Sequence, residues 1–443
     1  MSKVMQRSCL VKLPTISSGE GVYLIDKSGK RYLDACGGAA VSCLGHSNSR
    51  VKDAMHSQIN KVAYAHTSFF TNDPQEELAE HLIANSVGDF SSVYFVSGGS
   101  EAVEASIKLA RQYFVEVGLT EKKYIIAREQ SYHGNTIGAL SAGGNLWRRQ
   151  MFDPILLSGN HISACYSYRG RLVEESEHEY GQRMANELEE KIIKLGQQNV
   201  AAFIAEPVVG ATLGAVPAVE GYFKRIREIC NEYNVLLILD EVMCGSGRTG
   251  TLHACEQDGV AADIQTMAKG LSAGYQPLGA VLIGNKIHQT ICNGSGMFQH
   301  GHTYIGHATA CAAGLAVQKE IQELDLLKNV ALQGAALKDL LVEHSKEHPF
   351  IGDVRGRGLF IGVEIVQDKT NKSPFLSEQK IHSKIKSMAM ESGLMVYPMG
   401  GTIDGKNGDH VLLAPPFIVN EGHIEKISTM LIDAISLATS YKK

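Results

Sequence analysis

Val235-Leu-Leu-Ile-Leu-Asp240-Glu241-Val242, with Thr266-Met-Ala-Lys269-Gly270 further along, is the stretch whose reading decides the fold. A run of five apolar residues ending in an acid reads as a buried parallel strand. Such strands deliver their last residues to the crevice where open α/β sheets bind ligands. Asp240 is thereby placed at a strand's carboxyl end, and Lys269 follows a second short apolar strand.

Working outward, the same pattern recurs on both sides. Val200–Ala205 leads into Glu206-Pro207, then a glycine-rich loop, a helix over Gly221–Asn231 and the strand ending at Asp240. Ile264–Ala268 and Gly279–Ile283 are short strands bracketing Lys269. Upstream, Ser92–Val96 runs into Ser97-Gly98-Gly99-Ser100-Glu101 and a helix whose apolar face is Val103, Ile107, Ala110, Phe114 and Val117. Lys123–Ala127 is a further strand, with Ser131-Tyr132-His133-Gly134 just beyond its end. Strands alternating with helices predict an α/β fold with a mostly parallel central sheet flanked by helices.

The two ends of the chain differ in character. Gly21–Asp26 and Arg31–Asp34 flank a glycine-containing turn and read as a hairpin, and Val51–Val62 reads as a helix. Between them, Ala35–His46 is nearly all small residues, read either as a tight loop or as a low pocket wall that includes Ala39. Tyr64–Phe70 is an aromatic loop. Trp147–Arg171 is an irregular excursion, followed by a polar helix over Glu174–Leu195. After a helix over Ala308–Leu324 come helix Val330–His344, strand Gly358–Glu364, helix Ser377–Glu391, strands Leu394–Tyr397 and Val411–Ala414, and a helix from Glu421. That succession predicts a second, smaller α+β domain from about residue 316.

Composition narrows the function classes. The chain has 443 residues, 44% apolar and 20% charged, enough for two or three domains with sizeable cores. A net charge of −5 and a pI near 6.4 leave no basic surplus for nucleic acid. Nine scattered cysteines without a C-x-x-C pair suit reduced thiols. With no signal-like or membrane-length apolar run, the expectation is a cytoplasmic protein acting on small molecules.

The chemistry comes from joint occurrence. A strand, glycine turn and helix start at Gly99 and Ser100 present free N–H groups and the positive end of a helix dipole, a phosphate cradle without Walker spacing. An aromatic residue, an acid and a lysine then fall on the same rim. Together they suit pyridoxal phosphate: an imine-forming amine, a counter-charge for the pyridine nitrogen and a surface for the ring. Two other readings compete. Glu206, Asp240 and Glu241 could be the paired carboxylates of a hydrolase, and His300, His302, His307 and Cys311 could suggest zinc, although their intervals match neither a finger nor H-E-x-x-H.

From about residue 15 onward the chain resembles the class III, subgroup II aminotransferases of pyridoxal phosphate fold type I, in an ω-transaminase-like form. The likeness rests on Ser97–Glu104, Tyr132-His-Gly134, Ala205-Glu206-Pro207, Leu239–Gly250, Ala268-Lys269-Gly270 and His302–His307. It implies a small domain built from residues 1–60 and 316–443 around a large cofactor domain at 61–315. By the same likeness Lys269 carries the imine, Asp240 pairs with the pyridine nitrogen, and Gly99 and Ser100 bind the phosphate. Tyr132 and Val242 cover the two ring faces, His133 and Glu206 lie close by, and Thr303 reaches the phosphate of a neighbouring subunit. The resemblance therefore implies a homodimer with both sites at the interface, and no metal.

One departure bears on the substrate. Ornithine- and acetylornithine-type relatives hold the substrate carboxylate with an arginine where this chain has Leu412, and no arginine follows Arg357. The mobile arginine of many ω-amine transaminases falls near Tyr397 and the insertion Gly400–Gly408. Ala39, Tyr64, Phe69, Arg169, Tyr397 and Leu412 are the pocket candidates, and Arg148 and Arg171 join Arg169 as candidate carboxylate holders by position. The expected activity is ping-pong transfer of an amino group from a primary amine or ω-amino acid to a keto acid, pyruvate before 2-oxoglutarate. Racemisation, decarboxylation or an internal amino shift would use the same lysine and electron sink. A non-catalytic sensor of this fold is the reading of another class.

Overall fold

The computed structural model describes residues 3–440. Near the start, β1 (Ile16–Glu20), β2 (Tyr23–Asp26) and β3 (Arg31–Asp34) form an antiparallel meander. Asp26 fixes its second turn, with Oδ1 accepting from the Ser28 and Lys30 N–H groups at 2.8 and 3.1 Å.

The middle of the chain builds a seven-stranded sheet from β4 (Phe90–Val96), β5 (Tyr124–Arg128), β6 (Asn160–Ile162), β7 (Val200–Ala205), β10 (Leu236–Asp240), β11 (Ile264–Met267) and β12 (Gly279–Gly284). Between them β8 (Val208–Val209) and β9 (Val216–Pro217) make a separate ribbon. The order across the large sheet is β4-β12-β11-β10-β7-β5-β6. Neighbours from β11 to β6 are parallel, and β12 runs against both β11 and β4. Because only β12 is reversed, the carboxyl ends of β4, β5, β7, β10 and β11 open on one rim.

Side-chain alternation along these strands explains the layers. Phe203, Leu237 and Leu239 point to one face, beneath the helices Asp73–Ala84, Glu177–Leu195, Tyr222–Glu232 and Ala308–Glu323. Ala202, Ile204 and Ile238 point to the other, beneath Gly99–Glu116 and Asn285–Asn293. Both faces are covered, so Leu236–Leu239 is a continuous apolar run and the strand is buried to its end at Asp240. This is the mixed α/β architecture with a mostly parallel sheet that the sequence predicts.

The C-terminal part contributes β13 (Ile351–Arg357), β14 (Phe360–Ile365), β15 (Leu394–Met395), β16 (Tyr397–Gly400) and β17 (Asp409–Leu413). β13 lies in a stretch to which the sequence pattern assigned no element, and it forms a hairpin with β14. One expectation is corrected here. Leu394–Tyr397, expected as one strand, divides at Val396: β15 pairs parallel with β3, whereas β16 pairs with β17. The chain thereby stitches its N-terminal meander to its C-terminal sheet. Helix Glu177–Leu195 begins three residues later than expected because Ser176 and Glu179 form a capping box there. The expected boundary at residue 316 falls inside helix Ala308–Glu323. That helix gives Ala310, Cys311 and Leu315 to the large-sheet core and Ala313, Val317 and Ile321 to the C-terminal core.

Candidate active site

Five strand ends supply the rim, and a cavity of about 370 Å³ lies against it. Ser97–Ser100 follow β4, Tyr132–Gly134 follow β5, Glu206 follows β7, Asp240 and Val242 lie at the end of β10, and Lys269 follows β11; all line the cavity. Helix Gly99–Glu116 starts here, so its first-turn N–H groups face the space without intrahelical partners. Gly99 is required by packing: a Cβ there would lie 2.5 Å from Val242 Cγ1. Gly134 is equally constrained, with φ 135° and Ser100 Oγ 2.7 Å from the place a Cβ would take.

Asp240 is buried and held on both oxygens. Oδ1 accepts from Thr266 Oγ1 at 3.0 Å and from the Val242 N–H at 3.1 Å, and Oδ2 lies 2.7 Å from His133 Nδ1. His133 Nε2 is 3.9 Å from Glu206 Oε2. Burial works to lower the imidazole's pKa, but the Glu206 and Asp240 carboxylates outweigh it and hold it above its usual value. Glu206 Oε1 accepts the Tyr132 N–H at 3.1 Å, and Arg128 binds the Glu206 carbonyl. The result is a chain of fixed groups from Arg128 through Glu206 and His133 to Asp240, which leaves Asp240 one orientation.

Lys269 has φ 47°, a left-handed conformation that turns the chain sharply as β11 ends. Its amine is pushed down to about 8, chiefly by burial, with Asp240 and Cys244 opposing and Arg148 adding to the drop. An amine of that pKa is about half neutral at pH 8, where an ordinary lysine is almost wholly protonated, and the neutral form is the nucleophile and proton carrier.

The other expected site residues fall elsewhere. Leu412 does not line the cavity; it is fully buried with Ala40, Ala211, Met243 and Phe360, and Tyr397 packs on that cluster. Ala39 sits in the kinked turn Gly37–Ala40 beside it. Tyr64 donates to the Thr303 carbonyl at 2.8 Å and packs edge-on to Tyr304, and Phe69 is 78% exposed. Thr303 is likewise exposed. Arg169 is corrected as a carboxylate holder, because it is spent on Glu364 at 2.7 Å and on the Lys372 carbonyl. Arg171 donates to the Glu175 carbonyl. Arg148, by contrast, lies over the Tyr132 ring, 4.3 Å from its centroid.

Several lining residues escape the sequence reading: Val41, Gly210, Ala211, Met243 and the turn Ser272–Leu278. Val41 belongs to the small-residue stretch that suggested a pocket wall, which was the available signal. Gly210 and Ala211 carry none, since His410 of β17 places that loop by bonding the Ala211 carbonyl at 3.0 Å. The histidines proposed for zinc lie apart from the cavity, with His300 and His302 ring to ring at 4.8 Å. Among the described residues no group of three or more His, Cys, Asp or Glu is placed to hold a metal, and no helix is long and apolar enough to cross a membrane.

Comparison with known proteins agrees with this geometry. Residues 5–435 match the family described as Aminotransferase class-III. An uncharacterized aminotransferase of Schizosaccharomyces pombe is 46% identical over 424 residues, covering 96% of this chain and 92% of the relative. A diaminobutyrate–2-oxoglutarate transaminase of Halomonas elongata is 34% identical, with 96% and 90% covered. Among solved structures, the ω-transaminase of Pseudomonas jessenii in complex with PMP superposes with a TM-score of 0.93 at 33% identity, covering 99% of this chain and 97% of that one. With rim, amine and carboxylate in place, and with matches spanning nearly its whole length, the chain belongs to the class-III aminotransferases.

Proposed function

We propose that the protein is a pyridoxal-phosphate-dependent transaminase taking its amino group from a primary amine or ω-amino acid and passing it to a keto acid. The observation that carries this reading is the meeting of a buried lysine of lowered pKa and a buried, doubly held aspartate in one cavity beside a helix N-terminus. These residues fit the cofactor: the helix start suits its phosphate, Asp240 its ring nitrogen and Lys269 its carbonyl carbon. Bound there, the ring supplies an electron sink for the pair left on the substrate carbon when a proton is removed.

The chain's own residues do the remainder. Lys269 Nζ, about half neutral at pH 8, would take and carry the proton from the substrate carbon once the cofactor is bound. Asp240, fixed by His133 and Thr266, would present its carboxylate to the ring nitrogen. The Gly99 and Ser100 N–H groups would hold the phosphate, and Tyr132 and Val242 would cover the ring. Thr303, exposed in the single chain, serves the phosphate site of a second subunit in a homodimer, and residues 61–315 form the unit that binds the cofactor.

The apolar group of Leu412, Met243 and Ala211 beside the cavity supports donors without an α-carboxylate. Pyruvate is the preferred acceptor in this reading. The Halomonas relative's name, which specifies 2-oxoglutarate, supports that acid as the second candidate. A panel of amines, ω-amino acids and α-amino acids against both keto acids tests the reading. Turnover with amines is expected, and turnover with α-amino acids alone would overturn the donor assignment.

A further inference from the structure

Arg148 does not itself line the cavity, but it packs on Tyr132, which does, and has nothing of its own to hold. It lies in the short helix Leu146–Arg149, capped by Asn145, whose Oδ1 accepts the Arg148 N–H at 3.2 Å. Nearby arginines are occupied: Arg149 donates to the Ser141 and Gly143 carbonyls, Arg169 pairs with Glu364, and Arg128 lies 3.7 Å from Glu206. Arg357, the last arginine of the chain, is held by both oxygens of Asp258 at 2.9 and 3.0 Å. Arg148 makes no side-chain hydrogen bond or ion pair among the described residues, and its Nε is shielded from solvent without a partner.

Its position gives that vacancy a use. The guanidinium carbon lies over the ring of Tyr132, which lines the cavity, and its charge reaches both Tyr132 and Lys269. A guanidinium that rests on a ring and bonds to no other group keeps its N–H groups free to receive a carboxylate in bidentate fashion. An arginine over an aromatic that lines the same cavity as the reacting lysine suits an acid whose carboxylate lies close to its carbonyl carbon.

We propose that Arg148 anchors the carboxylate of the acceptor, so that the enzyme selects 2-keto acids over aldehydes, in place of an arginine from the C-terminal part of the chain. This inference rests on the transaminase reading above. Arg7, exposed, also bears electrostatically on Tyr132 and is the natural control.

Trp147, the single tryptophan, has its ring 5.7 Å from the Arg148 guanidinium and so reports on ligands there. The test uses the cofactor-loaded protein and its Arg148→Ala, Arg148→Lys and Arg7→Ala variants. Titration with propionate is expected to change Trp147 fluorescence saturably in the wild type and in Arg7→Ala, and not in Arg148→Ala. The ratio of keto-acid to amine half-reaction kcat/KM is expected to fall about 30-fold or more in Arg148→Ala, through KM, and less in Arg148→Lys. An unchanged ratio, an equal fall in both halves, or a fall in Arg7→Ala instead overturns the assignment. If the wild type performs neither half-reaction while propionate binding still depends on Arg148, the transaminase reading fails and the anion site stands.

Discussion

Lys269 combines two properties that a surface lysine lacks: a left-handed backbone that aims it off the strand end, and a pKa lowered to about 8 by burial. A cofactor aldehyde reacts only with the neutral amine. The rate at which cofactor-free protein takes up pyridoxal phosphate, followed by visible absorbance, is therefore expected to rise with pH and level off near 8. An ordinary lysine would keep gaining about tenfold per pH unit until roughly 10.4. The rim residues Gly99, Ser100, Tyr132, Glu206, Asp240 and Lys269 were legible because each ends or closely follows an apolar strand, and strand ends of a parallel sheet converge whatever lies between them. Leu412 and Arg169 were not, because their partners Phe360 and Glu364 are set by long-range packing that no local pattern announces.

Elements position these residues through close backbone approach. The turn after β4 and the turn after β10 meet at Gly99 and Val242, with no room for a methyl group between them. Gly99→Ala is expected to weaken cofactor binding about tenfold, the range of overpacking costs, and Val242→Ala in the same chain should restore most of it. Equilibrium titration with the cofactor measures both; wild-type affinity in Gly99→Ala would show that the two turns are not so tightly joined. The long strands and helices of the large sheet were readable from their periodicity. The break of Leu394–Tyr397 into two strands was not, since Val396 carries no breaker signal and the division arises because β3 and β17 each claim one half.

At the scale of the molecule, the loop bearing Gly210 and Ala211 is held by a buried histidine of the C-terminal sheet. His410 receives Thr402 Oγ1 at 2.6 Å from Nδ1 and bonds the Ala211 carbonyl through Nε2, both of which the neutral ring satisfies. Burial lowers its pKa to about 4. The unfolded chain binds this proton below about 6.5 and the folded chain only below about 4, so the histidine's contribution is present above 6.5 and lost as pH falls to 4. That amounts to about 3 kcal/mol, and His410→Gln should flatten the acid limb of stability measured by urea unfolding. The central claim concerns the reaction that the assembled cavity performs. The most direct measurement follows the two half-reactions separately by absorbance and product analysis. The account predicts that an amine donor converts the bound cofactor to its aminated form, releasing one carbonyl product per site, and that pyruvate then restores the original spectrum with release of alanine. Epimerised substrate or carbon dioxide appearing without that cycle would contradict it.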